Sequence, residues 1–234
     1  MNKKILMLLL GVFFIITLSA CDKKNSSAIE FKKDYESING KENSHGKVNR
    51  TISIPEDNPM KEISSSELIK KIENKETFFV YFGSKLCPWC RSVIETAIEE
   101  AKENNIDTIY YVDIWDDEGN EILRDKYELD ENNELKVVYE GTEDYKKLLS
   151  YFDNLLEEYT LTNDKEEKIS VNEKRIYAPN FVYIEKGKAE KLVDGISSKQ
   201  EDSREELTKE ILEEEEKTFN EFFDTSKSCK KDKC

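Results

Sequence analysis

A pair of cysteines between an apolar run and a helical pattern constrains this chain more than any other feature. The segment from Phe78 to Phe82 is continuously apolar, which is typical of a strand buried on both faces. Cys87-Pro88-Trp89-Cys90 follows it directly. Beyond the motif, apolar residues recur at helical spacing, at Val93, Ile94, Ala97, Ile98 and Ala101. The sequence therefore places both cysteines where a buried strand meets a helix.

This position favours redox chemistry at the two thiols. A helix that begins at the motif has Cys87 near its N-cap and Pro88 at its first position, where the missing N–H costs nothing. Free backbone N–H groups and the helix dipole then favour a thiolate at Cys87, and such surroundings lower the pKa of a thiol. We predict that Cys87 attacks a disulfide and that Cys90 resolves the mixed disulfide.

Two other interpretations of the motif stay open from the residues alone. A zinc site needs two more ligands, and the candidates among the remaining cysteines are Cys229 and Cys234. An inert structural disulfide is the other alternative. The strand–motif–helix context favours the redox pair over both.

A proline late in the chain forms the second part of the predicted site. Pro179 directly precedes the apolar run from Phe181 to Ile184. A proline that begins a strand is tolerated on structural grounds alone. The functional interpretation is a cis peptide bond between Ala178 and Pro179.

The rest of the domain alternates between strand and helix patterns. Capping residues at Ser64 to Glu67 predict a helix. The further predictions are a strand over 108–114, a helix over 117–127, a short strand or turn over 135–139, an amphipathic helix over 145–159, a charged loop over 162–174, a hairpin of 181–184 with 189–193 that turns at Gly187, and a final helix from 207. This order predicts an α/β fold with a mixed central sheet flanked by helices.

The N-terminus has the pattern of a bacterial lipoprotein signal. Lys3 and Lys4 precede an apolar run over 5–18, which is short for a membrane span of about 20 residues. Leu18-Ser19-Ala20-Cys21 resembles the lipobox. The resemblance implies that residues 1–21 are a signal peptide and that a lipid on Cys21 anchors the protein at the extracytoplasmic face of the cell membrane.

Polar segments flank the predicted domain of residues 63–225. Residues 22–62 are rich in Lys, Asn, Ser and Glu, and we predict a flexible tether there. Residues 226–234 form a tail that holds Cys229 and Cys234. Outside the cytoplasm these two are a candidate second disulfide, which either closes a small loop or exchanges with Cys87 and Cys90.

Charge and histidine content exclude several function classes. The formal net charge is -15, so nucleic acid is not an expected partner, because it would be repelled. The single histidine, His45, lies in a polar stretch. Hydrolases with a catalytic histidine are therefore disfavoured, as are His-rich metal sites. We expect no cofactor and no metal.

Three segments together resemble the thioredoxin superfamily. They are Phe79 to Cys90, Tyr111-Val112-Asp113, and Ala178 to Lys188, and the resemblance covers about residues 64–224. It implies a thioredoxin-like fold with an inserted helical segment before the cis-proline strand. It also implies that Cys87 is the nucleophile, that Cys90 resolves, that Pro179 is cis and faces the disulfide, and that the Ala178 backbone pairs with substrate. We expect Pro88 and Trp89 to contact substrate as well.

The implied function is thiol–disulfide exchange on exported proteins, with electrons from a membrane thiol carrier. The alternative is a non-catalytic accessory lipoprotein that binds a transporter or an exported peptide. One residue departs from the family pattern. Tyr81 stands where many thioredoxins carry a buried Asp before the motif, so the sequence assigns no proton acceptor to Cys90.

Overall fold

The computed structural model describes residues 26–43 and 45–224. The predicted signal peptide, Cys21, Cys229 and Cys234 lie outside these residues. Among the helices in the described ranges, none combines the length and the apolar character that a membrane crossing requires.

The described chain is an α/β fold around a mixed sheet. The helices are α1 (residues 26–36), α2 (Ser65–Glu73), α3 (Pro88–Glu103), α4 (Glu143–Phe152) and α5 (Lys209–Phe223). The strands are β1 (Met60–Glu62), β2 (Phe78–Gly83), β3 (Ile109–Asp113), β4 (Lys126–Leu129), β5 (Leu135–Tyr139), β6 (Glu157–Thr162), β7 (Lys168–Arg175), β8 (Asn180–Glu185) and β9 (Lys188–Val193). Five strands form the central sheet in the order β1-β3-β2-β8-β9. The first three strands are parallel to one another, β8 is antiparallel to β2, and β9 is antiparallel to β8.

Helices cover both faces of this sheet. All six residues of β2 are buried, and they alternate between two core layers. Phe79 and Tyr81 pack in the layer that holds α1, α3 and α5. Phe78, Val80 and Phe82 pack in the layer that holds α2 and α4. This double burial explains why the strand reads as a continuous apolar run.

The predicted helix at Ser64 is confirmed with its capping box. The Ser64 side chain accepts a hydrogen bond from the Glu67 backbone N–H, and the Glu67 carboxylate accepts one from the Ser64 N–H. Leu68, Ile69 and Ile72 of α2 are buried. The predicted hairpin is also present, with Gly187 at φ +78° in its turn, a conformation that glycine adopts without steric cost.

The predicted flexible tether over residues 22–62 is wrong for its described part. Helix α1 buries Ala28, Phe31 and Tyr35 in the core, and β1 adds an edge strand beside β3. These apolar residues recur every three or four positions among Lys, Asp and Glu. The segment therefore has a polar composition but one narrow apolar stripe, which is enough to dock a helix.

A buried arginine of α3 holds this N-terminal segment in place. The Arg91 side chain is 1% exposed. Its guanidinium donates to the backbone carbonyl oxygens of Tyr35 (2.7 Å) and Arg50 (3.1 Å from Nε) and to Oδ1 of Asn39 (2.6 Å). A buried guanidinium needs such acceptors, so α3 and the segment before β1 depend on each other.

The region between β3 and β8 differs from the prediction in three places. Residues 117–127 form no helix, because the Asp116 carboxylate accepts the backbone N–H groups of Glu118 and Asn120 in a turn that competes with helix formation. The amphipathic helix ends at Phe152, and the predicted charged loop is the hairpin of β6 and β7. The inserted segment therefore contains α4 and two hairpins, β4–β5 and β6–β7.

Candidate functional site

The cysteine motif begins helix α3 as the sequence predicts. Cys87 is the N-cap, and Pro88 occupies the first helical position. The Cys87 sulfur accepts a hydrogen bond from the backbone N–H of Cys90 at 3.2 Å. The thiol of Cys87 thus takes the place that a capping oxygen takes in other helices, so the backbone itself favours negative charge on this sulfur.

The loop before β8 closes over the same sulfur. The Cys87 sulfur lies 3.5 Å from the carbonyl oxygen of Ala178, and the Ala178–Pro179 peptide bond is cis. The predicted cis bond is therefore confirmed. The fold brings Cys87, Cys90, Ala178 and Pro179 together from positions about 90 residues apart in sequence.

Asn180, which the sequence analysis did not single out, shapes this loop. Its Oδ1 accepts the Tyr177 backbone N–H at 2.7 Å, and its Nδ2 donates to the Pro179 carbonyl at 2.9 Å. Asn180 is 5% exposed. An asparagine directly after the proline was the available signal, because its short amide bonds to nearby backbone groups.

A cavity lies next to Pro179. Its volume is about 530 Å³, and its lining includes Tyr177, Ala178, Pro179, Val193 and Ile196. A larger cavity of about 870 Å³ lies beside Leu149 and Lys174 and contains none of the predicted site residues, so we assign no role to it. Pro88 and Trp89 are half-buried on the first turn of α3, and Trp89 packs against the core layer of the cysteines.

The surroundings of Cys87 favour its ionised form. Burial acts to raise the pKa of Cys87, but hydrogen bonds from the Cys90 thiol and backbone N–H, with the Arg124 charge, hold it below its ordinary value. Arg124 is 4% exposed, and sequence reasoning missed it. Arg124 forms a salt bridge with Glu121 at 2.6 Å, and the same Glu121 carboxylate forms a second salt bridge with Arg175 at 3.2 Å. The cluster of two guanidinium groups and one carboxylate carries net positive charge, and Arg124 is the member that acts on the Cys87 pKa.

The surroundings of Cys90 have the opposite effect. Cys90 is 0% exposed. Burial, followed by the neighbouring Cys87 sulfur, raises the pKa of Cys90 well above its ordinary value, and the Tyr81 hydroxyl opposes this shift only in part. The two pKa values therefore shift in opposite directions, so Cys87 is the sulfur that ionises more readily.

Chemically, the site combines a sulfur whose pKa is lowered, a second thiol one helical turn away and an adjacent backbone acceptor. Cys87 and Cys90 are both free thiols. In residues 26–43 and 45–224, no group of three or more His, Cys, Asp or Glu side chains is arranged to hold a metal ion. Neither protein-family models nor curated proteins give a match to this chain.

Proposed function

We propose that this chain is a thiol–disulfide oxidoreductase with a thioredoxin-like fold. The observation that carries the proposal is the position of the Cys87 sulfur. It caps α3, accepts the Cys90 N–H at 3.2 Å and lies 3.5 Å from the Ala178 carbonyl before cis-Pro179. A nucleophilic thiolate with a resolving thiol within reach is the arrangement that exchange requires.

The exchange has two balanced steps. The Cys87 thiolate attacks one sulfur of a substrate disulfide, forms a mixed disulfide and releases the other substrate sulfur as a thiolate. Cys90 then loses its proton and attacks Cys87. The Cys87–Cys90 disulfide forms, the second substrate thiolate leaves, and two electrons have passed to the substrate. The reverse sequence oxidises a substrate dithiol.

The loop at Ala178 supports a polypeptide substrate. Residues 177–179 precede β8 and border the cavity described above. The Asn180 side chain already bonds the Tyr177 N–H and the Pro179 carbonyl, so Ala178 is the residue whose backbone would pair with an extended chain that reaches Cys87. Pairing of that kind gives affinity with little dependence on sequence. Pro88 and Trp89 then border the reacting sulfurs from the first turn of α3.

We further propose that the substrates are exported proteins. This part depends on the signal pattern of residues 1–21, whose resemblance to the lipobox implies a lipid on Cys21. A protein held at the extracytoplasmic face meets disulfides. A membrane thiol protein is the electron donor that returns Cys87 and Cys90 to the dithiol form.

Trapping of mixed disulfides tests the proposal. In Cys90→Ser the resolving step is lost, so substrates stay attached to Cys87 and are recovered as adducts that a reductant releases. Cys87→Ser is the matched control and traps none. Recovery of no adducts on Cys90→Ser, together with no dithiol-dependent reductase activity of the wild type, contradicts the proposal.

The burial of Cys87, which is 3% exposed, favours a second candidate. A non-catalytic accessory lipoprotein that binds a transporter or an exported peptide does not need an accessible sulfur. Alkylation distinguishes the two functions. A Cys87 that reacts at neutral pH faster than an ordinary thiol supports the oxidoreductase, and slow alkylation with an ordinary pKa supports the accessory protein.

A further inference from the structure

Three tyrosine hydroxyls lie in the core layer of the cysteines, behind Cys90. Tyr35 of α1 and Tyr81 of β2 are each 0% exposed, and Tyr111 of β3 is 4% exposed. The ring of Tyr111 stacks on Tyr81 with centroids 5.5 Å apart and meets Tyr35 edge-on at 5.9 Å. Phenylalanine would supply the same packing without a buried polar group. Packing alone therefore does not explain why these three positions carry hydroxyl groups.

The first two hydroxyls link Cys90 to helix α1. The Tyr81 hydroxyl and the Cys90 thiol are both fully buried in the same core layer, and the hydroxyl acts to lower the pKa of that thiol. On its other side the Tyr81 hydroxyl lies 3.0 Å from the Tyr35 hydroxyl, and either group can donate. A proton that leaves Cys90 can therefore pass first to the Tyr81 hydroxyl and then to the Tyr35 hydroxyl.

The third hydroxyl continues toward a carboxylate. Tyr111 faces both the Tyr35 hydroxyl and the Asp113 carboxylate, but its buried oxygen makes no hydrogen bond of normal geometry with any described residue. A buried hydroxyl without a settled partner is costly. The missing partner is explained if the Tyr111 hydroxyl alternates between Tyr35 and Asp113 as hydrogen-bond partners.

Asp113 connects the series to solvent. It is half-buried and lines a cavity of about 320 Å³ together with Asp34, Tyr111 and Asp117. Burial raises the pKa of Asp113 above its ordinary value, so this carboxylate is a stronger proton acceptor than a typical Asp. The cavity lets the proton pass on to water.

We propose that Tyr81, Tyr35 and Tyr111 relay the proton of Cys90 to Asp113 as Cys90 attacks the mixed disulfide. The relay rests on the proposed exchange function. In this relay Asp113 of the neighbouring strand β3 is the proton acceptor for Cys90. Strand β2 lacks an acceptor of its own, because Tyr81 stands where an Asp was expected.

The relay balances in protons and electrons. The Cys90 proton moves to Tyr81 oxygen, the Tyr81 proton to Tyr35, the Tyr35 proton to Tyr111, and the Tyr111 proton to the Asp113 carboxylate. The Cys90 electron pair forms the bond to the Cys87 sulfur, and the substrate leaves as a thiolate. Each tyrosine ends neutral, because it gains one proton and gives one up.

Charged groups around the relay come from several elements. Near Cys90 they are the Cys87 sulfur and Arg91, whose guanidinium interacts with the Tyr35 and Tyr81 hydroxyls. A cation there stabilises transient negative charge on either oxygen.

Near Asp113 the facing groups are Tyr111, Ser84, the Trp115 backbone N–H and Asp34. Lys85 pairs with Asp34 and with Asp117 at 2.5 Å each, so it offsets the charge of both cavity carboxylates.

Ellman's reagent tests the relay in a protein that carries Cys21→Ser, Cys229→Ser and Cys234→Ser, so that Cys87 and Cys90 are its two remaining cysteines. The reaction of this reduced protein releases one coloured thiolate at each step. The first phase reports the attack by Cys87, and the second reports resolution by Cys90. We expect Tyr81→Phe, Tyr35→Phe and Asp113→Asn to slow the second phase near neutral pH on the order of 100-fold, as loss of general base catalysis does. The first phase stays unchanged. The slowing shrinks as rising pH lets hydroxide deprotonate Cys90.

Tyr110→Phe is the matched control, because Tyr110 is the neighbouring residue of β3 on the opposite face of the sheet. It leaves both phases unchanged. Near-UV circular dichroism confirms folding, and if Tyr81→Phe does not fold, Tyr35→Phe and Asp113→Asn carry the test. A second phase of wild-type rate in those variants, equal slowing of both phases, or a slowing independent of pH overturns the relay. Absence of a second phase in the wild type refutes the proposed function instead.

Discussion

The two sulfurs of the motif lie one helical turn apart, yet different parts of the chain surround them. Cys87 faces the Ala178 carbonyl and the Arg124 charge, both of which come from the chain after β3. Cys90 faces Tyr81, and Tyr35 of the N-terminal helix lies behind it. The Arg124 charge favours a thiolate at Cys87, whereas burial favours a neutral thiol at Cys90. The difference teaches that the asymmetry of this dithiol does not come from the motif alone.

The largest expected effect tests whether the N-terminal segment belongs to the folded domain. Phe31→Ala removes a ring that is 5% exposed and stacks on Tyr35. We expect it to lower the free energy of unfolding by about 3–5 kcal/mol, as large core truncations do. Urea denaturation measures this. Lys33→Ala on the exposed face of α1 is the control, with a change of about 0.5 kcal/mol or less. If the free energy of unfolding changes by the same small amount in both variants, this segment is a tether and not part of the folded domain.

A smaller effect comes from crowding the Tyr81 hydroxyl while leaving the tyrosine in place. A Cβ on Gly83 would lie 2.1 Å from the Tyr81 hydroxyl oxygen, so Gly83→Ala forces that group to move. We expect a loss of about 1–3 kcal/mol of stability. We also expect slower resolution by Cys90 with an unchanged attack by Cys87. Stopped-flow kinetics and urea denaturation report the two effects. A wild-type resolution rate in a folded Gly83→Ala protein contradicts the role of the Tyr81 hydroxyl.

The smallest expected effect concerns the other sulfur. Arg124→Gln removes a positive charge near Cys87, so the thiolate is less stabilised, the pKa of Cys87 rises and the thiolate fraction at a given pH falls. Alkylation of Cys87 at slightly acidic pH should slow severalfold, while alkylation of Cys90 stays the same. Arg124→Lys keeps the charge and is the matched control. If both thiols respond equally to Arg124→Gln, the separation of their surroundings is wrong.

The elements nearest to the motif could be predicted from the sequence, because each has a local signal. The apolar run of β2, the N-cap position of Cys87 and the proline before β8 are all visible in single segments. The cis bond at Pro179 is confirmed on the same basis. That the loop at Pro179 faces the cysteines is what the family resemblance implies, and none of these local signals predicts it.

The surroundings of Cys90 and the charge near Cys87 could not be predicted, because they arise from long-range packing. Tyr35 lies 46 residues before Tyr81, and their contact depends on a helix whose composition is polar. Arg91 and Arg124 read as surface residues, yet both are buried against acceptors that other segments supply. The hairpin of β6 and β7 buries only Tyr159, Val171 and Arg175, so it shows little of the apolar alternation that predicts a strand.

The ionisation of each thiol tests the central claim most directly. The reduced protein is alkylated over a range of pH, and mass spectrometry follows Cys87 and Cys90 separately. The pKa of an ordinary cysteine thiol is about 8.5. Our account predicts a midpoint below that value for Cys87 and above it for Cys90. Equal midpoints, or the reverse order, would contradict the division of roles between the two sulfurs.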